Sequence, residues 1–170
     1  MVIVLSVATL VVLVDQTSTN WAESVLTKGP VHVIGPLSLR LEYNTGAAFS
    51  LGQGLAPWLA LLAIGVSAIL LLLGRRAANT TMAVAIGLIL GGAVGNLMDR
   101  VFRSHSGAVV DFISVGFWPT FNLADASIVV GGILLIFSMR SFAGGHLRSK
   151  EEVGELDERS QRGSDNSAMS

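Results

Sequence analysis

Apolar residues run along this chain in long blocks, and the polar breaks between the blocks mark out its elements. The first block, Met1–Val14, reads MVIVLSVATLVVLV. Alone it falls short of the roughly 20 residues that cross a bilayer. It has the length of a signal-peptide core, but no basic segment precedes it and no A-x-A cleavage pattern follows. A helix that continues through DQTSTNWAESVL, with Trp21 at the membrane interface, accounts for it better. Asp15 then lies inside the helix. The missing basic lead-in leaves open a start other than Met1.

The second block is Pro57–Leu73; Pro57 suits a first helical turn, and Gly74-Arg75-Arg76 ends it. The third follows Asn79, a good N-cap, and reaches about Met98, roughly 28 Å at 1.5 Å per residue. The fourth begins near Asn122 and ends at Met139-Arg140. Four spans put both chain ends on one side. Arg75, Arg76, Arg140, Arg148 and Lys150 fall there, against Lys28, Arg40, Arg100 and Arg103 on the other. The positive-inside rule favours cytoplasmic termini by a thin margin.

Between the first two blocks the pattern changes. Thr27–Gln53 alternates and carries Gly-Pro and Asn-Thr-Gly turn signals, which predicts short strands and turns on the outer membrane face, within a periplasmic segment of about 27–56. From Gly144 the chain is rich in Gly, Ser and charge and reads as a disordered cytoplasmic tail. The division expected is a membrane domain over 1–142 and a tail over 143–170.

Composition narrows the chemistry. At 51% hydrophobic and a mean hydropathy of +0.64, the chain is too apolar for a soluble domain of its size. A net charge of −1 implies no nucleic-acid partner. With no cysteine, a disulfide, a thiolate nucleophile and a cysteine metal site are excluded. His32, His105 and His146 are scattered, which argues against a histidine-bound metal or a Ser-His-Asp triad.

The acids are the candidate chemistry. Outside the tail they are Asp15, Glu23, Glu42, Asp99, Asp111 and Asp125. The four aspartates lie inside or at the edge of apolar runs, where a charge near the bilayer centre costs roughly 2.5–3.5 kcal/mol. Asn96, Asp99 and Arg100 share a helix face by their spacing. Asp99 can equally be an interfacial acid beside a helix-terminal arginine. Asn122 and Asp125 resemble a capping box, and capping alone could explain both. Asp111 stands among apolar neighbours in GAVVDFISV, with a surface-loop acid as its plain reading. Gly116, Trp118 and Pro119 lie between Asp111 and Asp125, so the segment can fold back and bring the two carboxylates together. A facing pair holds one proton at neutral pH; one member can take a proton from water while the other polarises a carbonyl. A proton-coupled carrier and a non-enzymatic helical scaffold are the rival readings. The carrier needs acids strung along a path across the membrane, and the scaffold leaves Asp111 unexplained.

VDQTSTNW, YNTGAAFS, GGAVGNLMDR, GAVVDFI and FNLADASI occur in this order from about Val14 to Ile128. Together they resemble signal peptidase II, the lipoprotein signal peptidase of bacteria. The resemblance implies an intramembrane aspartic endopeptidase without metal or cofactor. Its fold would be an all-α membrane protein of four transmembrane helices, with a small β-rich periplasmic cradle and an outer-face helix. Its substrates would be diacylglyceryl-modified prolipoproteins, cut just before the lipidated cysteine. The cyclic peptide globomycin would inhibit it, and it would act as a monomer in the cytoplasmic (inner) membrane with its active site toward the periplasm. The catalytic pair falls on Asp111 and Asp125. Asn44, Asn96, Arg100 and Asn122 match residues that line the site, and Asp15 matches a supporting acid. Asp99 matches the family motif without a catalytic role. Thr19 stands where the family usually carries a lysine, and the Asp111–Asp125 link is shorter than in many members.

Overall fold

The computed structural model describes residues 1–46 and 56–139. The chain divides into two compact units, Met1–Leu135 and Ile136–Ser170. Of the second, only residues 136–139, the end of the last helix, are described. The tail expected from Gly144 lies outside the described residues.

The first helix, α1, spans Val2–Val25, and a 3-10 turn over Leu26–Lys28 ends it. The apolar block therefore does continue past Asp15 as one helix. Next come α2 over Ala56–Gly74, α3 over Thr80–Phe102 and α4 over Leu123–Met139. Three of these are long and apolar enough to cross a membrane: α1 with its 3-10 extension, α2 and α3. The described length of α4 is apolar but shorter. Asn79 caps α3 as its sequence predicts, its Oδ1 accepting the Met82 N–H at 2.8 Å. α3 runs past the expected Met98 to Phe102, so Asp99 and Arg100 lie within its last turns.

One end of the bundle is packed by small and apolar groups. Val4, Ala8, Leu70, Ala83, Ile86 and Leu90 form a buried cluster joining α1, α2 and α3. Glycines on two faces of α3 let its neighbours approach. A Cβ at Gly91 would stand 2.6 Å from the Val11 Cβ on α1, and one at Gly92 would stand 2.4 Å from the Ala124 carbonyl oxygen on α4. Small residues at helix contacts allow this closeness where lipid removes the hydrophobic drive to associate.

At the other end lies a four-stranded antiparallel sheet in the order β1-β2-β3-β4, built from Val31–Ile34, Leu37–Asn44, Val109–Val115 and Trp118–Phe121. The β1–β2 hairpin confirms the strands and the Gly-Pro turn expected after Thr27. Gly35 (φ 53) and Gly116 (φ 55) each open a two-residue turn, a conformation that suits glycine. The sheet is larger than the sequence suggested, because half of its strands come from residues 109–121. Asp111 is therefore a residue of the inner strand β3, paired with Glu42 of β2, and not a surface-loop acid. Among the described residues, the segments between the long helices hold no helix beyond the 3-10 turn; residues 47–55 lie outside the description.

Candidate active site

β3 delivers Asp111 to the bundle, and the N-terminus of α4 delivers Asp125. Asp111 is only 2% exposed. Its Oδ2 accepts a hydrogen bond from Asn44 Nδ2 at 3.1 Å, and its Oδ1 accepts one from Asn122 Nδ2 at 3.1 Å. Burial, and then the negative charge of Asp125, push the Asp111 carboxyl up to about 7. Glu42, its partner across the strands, adds a smaller push in the same direction.

Asn122 serves two purposes. Its Oδ1 caps α4 by accepting the Asp125 N–H at 2.8 Å, as the capping reading predicts. Its Nδ2 meanwhile faces Asp111 and also donates to Asn96 Oδ1 at 3.0 Å. Asn96 Nδ2 in turn donates to Asp125 Oδ1 at 2.8 Å. Two amides thus link the two carboxylates in a continuous chain, Asp111–Asn122–Asn96–Asp125.

A cavity of about 650 Å³ opens beside this chain. Asn44, Asn96, Arg100 and Asp125 form its polar wall, and Trp118, Ile128 and Val129 belong to its apolar wall. Mostly apolar pockets with a few convergent polar groups are the usual form of a ligand site. Arg100 is held by the Gly46 carbonyl (3.0 Å) and the Asn96 carbonyl (3.3 Å), while its buried Nε has no partner among the described residues. Among the described residues no group of three or more His, Cys, Asp or Glu could hold a metal ion.

The sequence model described as signal peptidase (SPase) II matches residues 7–141. The chain belongs to the signal peptidase II family. It is 47% identical over 139 residues to a lipoprotein signal peptidase of Mycolicibacterium smegmatis, an alignment covering 79% of this chain and 59% of that protein. The corresponding figures for the Mycobacterium avium protein of the same name are 46%, 139 residues, 79% and 76%. For the Rhodococcus jostii protein they are 50%, 111 residues, 63% and 56%. The chain thus spans little more than half the length of some relatives. Two solved structures, each titled a bacterial membrane enzyme, share the fold. One has a TM-score of 0.73 and 30% identity, covering 84% of this chain and 90% of that one. The other has a TM-score of 0.71 and 32% identity, covering 80% and 91%.

The signal peptidase II motifs meet in space. Asn44, Asn96, Arg100, Asp111, Asn122 and Asp125 form one cluster. Asp15 lies behind it, 1% exposed, its Oδ1 accepting the Ala124 N–H at 2.9 Å. Thr19, at the position where the family usually has lysine, is fully buried, and its hydroxyl has no partner among the described residues. Sequence reasoning missed a second polar cluster beside the first. Asp99 is 1% exposed, and its Oδ1 accepts from Gln16 Nε2 (2.9 Å) and Arg103 Nε (2.7 Å). Arg103 continues to Glu23, and Glu23 to His105 at 2.6 Å. The spacing of Asp99 and Arg103, four residues apart on a helix, was the one available signal.

Proposed function

We propose that this chain cleaves signal peptides from diacylglyceryl-modified prolipoproteins just before the lipidated cysteine, with Asp111 and Asp125 as an aspartic dyad. The observation that carries this reading is the amide chain that joins buried Asp111 to Asp125, with Asn96 and Asp125 of that chain lining a largely apolar cavity. Asp111, buried and with its carboxyl pushed up to about 7, keeps the shared proton and hydrogen-bonds the scissile carbonyl. Asp125 lines the cavity and takes the proton of the attacking water. The water oxygen bonds to the carbonyl carbon. Asp111 then passes its proton to the amide nitrogen, the C–N bond breaks, and the proton taken from water stays on Asp125 as the one the pair shares. The signal peptide leaves with a new carboxyl group, which ionises as the released amine becomes an ammonium. Arg100, which lines the same cavity, is the best placed donor for the oxyanion, with the Asn44 amide beside it. Asn122 is fully buried and committed to Asp111 and Asn96, so it positions the pair. The carrier reading loses ground because Asp111 and Asp125 are joined in one cluster, with Asp15 and Asp99 directly behind it.

The same reading makes α4 the fourth span and residues 1–142 the catalytic domain. It puts both termini in the cytoplasm and the sheet on the periplasmic face of the inner membrane. It also makes the protein a globomycin-sensitive monomer that needs no cofactor. The test is a gel-shift assay of a diacylglyceryl-modified prolipoprotein with the purified protein. Cleavage before the lipidated cysteine, blocked by globomycin, is the expected result. No cleavage by folded protein would overturn the proposal.

A further inference from the structure

The proposed chemistry leaves two buried carboxylates unused, and they behave alike. Asp15 Oδ1 accepts the backbone N–H of Ala124 at 2.9 Å, and Asp99 Oδ2 accepts the backbone N–H of Val110 at 3.1 Å. Ala124 is the residue before Asp125, and Val110 is the residue before Asp111. Each buried acid therefore grips the chain one residue upstream of one member of the dyad. A single side chain joins their other oxygens. Gln16 Nε2 lies 3.2 Å from Asp15 Oδ2 and 2.9 Å from Asp99 Oδ1, and it also reaches the Gly95 carbonyl at 3.3 Å. Gln16 Oε1 accepts from Arg103 Nη2 at 3.1 Å, which fixes the orientation of the amide.

We propose that Asp15, Gln16 and Asp99 form a brace that sets the separation of Asp111 and Asp125, with Gln16 as its central positioning residue. The inference rests on the dyad reading above. Asp111 lies on a strand and Asp125 on a helix, and the β3–β4 hairpin is their covalent link. A hairpin alone is a loose ruler for two groups that must act on one water. Anchoring both backbones to neighbouring residues of α1 and α3 removes that freedom. Gly95 makes room for the brace: a Cβ there would stand 2.6 Å from Asp15 Oδ2. Misplacement of reacting groups by about 1 Å can cost on the order of a hundredfold in rate, so even a small loosening should be visible in turnover.

The test uses the full chain in detergent, with 15N-labelled protein for the amide signals of Val110 and Ala124. In Gln16→Leu both signals are expected to move, kcat to fall by about tenfold or more, and KM to stay within about twofold. In a double-mutant cycle, the effects of Asp15→Asn and Asp99→Asn on kcat should be non-additive when Gln16 is present and additive in the Gln16→Leu background. A side chain that only fills space would change stability without moving both amides or coupling the two acids. If Gln16→Leu fails to fold, Gln16→Met, which keeps the length and removes the donors, takes its place. Unchanged kcat, unmoved amides or coupling that persists without Gln16 would each overturn the brace. The amide signals are read without substrate, so they judge the brace even if Asp125→Asn turns over normally and the dyad reading fails.

Discussion

The same two helices, α1 and α3, hold together in opposite ways at their two ends. Near the start of α1 the contact is Val4 and Ala8 against Ile86, Leu90 and the bare backbone of Gly87 and Gly91. Near its finish the contact is Asp15, Gln16 and Glu23 against Gly95, Asp99 and Arg103. The first end is dispersion and close approach: it tolerates the loss of a methyl group, though not a Cβ added at Gly87 or Gly91. The second is buried charge and directed hydrogen bonds, where losing one partner strands the others. The difference teaches where a membrane bundle gains precision: the polar end can hold two carboxylates at a fixed spacing, and the apolar end only needs to stay together.

Substitutions should separate the two ends by size of effect. Asp99→Leu leaves Arg103 and the Val110 N–H without their buried partner and should cost about 3–5 kcal/mol, read by denaturation in detergent. Gly92→Ala pushes a methyl against the Ala124 carbonyl at the start of α4 and should cost about 1–3 kcal/mol, with slower turnover because Asp125 follows directly. Ile86→Val, in the apolar end, should cost about 0.5–1.5 kcal/mol and leave kcat unchanged. If Ile86→Val slowed turnover as much as Gly92→Ala, the contrast between the ends would fail. Gly65 on α2 has nothing within 4 Å of an added Cβ, so Gly65→Ala should be neutral to slightly stabilising, by at most about 1 kcal/mol.

Protonation offers another contrast. The Asp111 carboxyl is held near 7 in the folded chain, above its ordinary 3.8, so the folded state binds this proton more tightly than the unfolded state. The stability it contributes is complete below pH 3.8 and is lost as pH rises through about 7. Asp111→Asn should therefore raise Tm at pH 8 and change it much less at pH 4, even as turnover disappears. An equal Tm shift at both values would contradict the burial argument. Glu42→Gln removes one of the charges that raise the Asp111 carboxyl, so the alkaline limb of the pH–rate profile should move to lower pH.

Much of this arrangement was legible in the chain. Trp21 and the polar stretch after Asp15 signalled a helix longer than its apolar block, Asn79 announced the start of α3, and Gly35-Pro36 the first hairpin. The segment VVDFISV was read without its strand because it does not alternate. As an inner strand it is buried at nearly every position, and such a run has no period to detect. Gln16 was invisible for another reason. A glutamine in a polar helix end looks solvated, and its partners Gly95 and Asp99 lie on a different helix far along the sequence. Asn122 and Asp125 carried two meanings at once. The cap is real, and the same amide that caps α4 also faces Asp111.

The most direct test of the dyad compares Asp111→Asn and Asp125→Asn with the unaltered protein, measuring both cleavage of a diacylglyceryl-modified prolipoprotein and the affinity for it. Either amide replaces a proton-transfer group with nearly the same shape. The account predicts that each variant folds, binds the precursor with affinity near that of the unaltered protein, and cleaves it at least about a thousandfold more slowly. Normal turnover in either folded variant would contradict it.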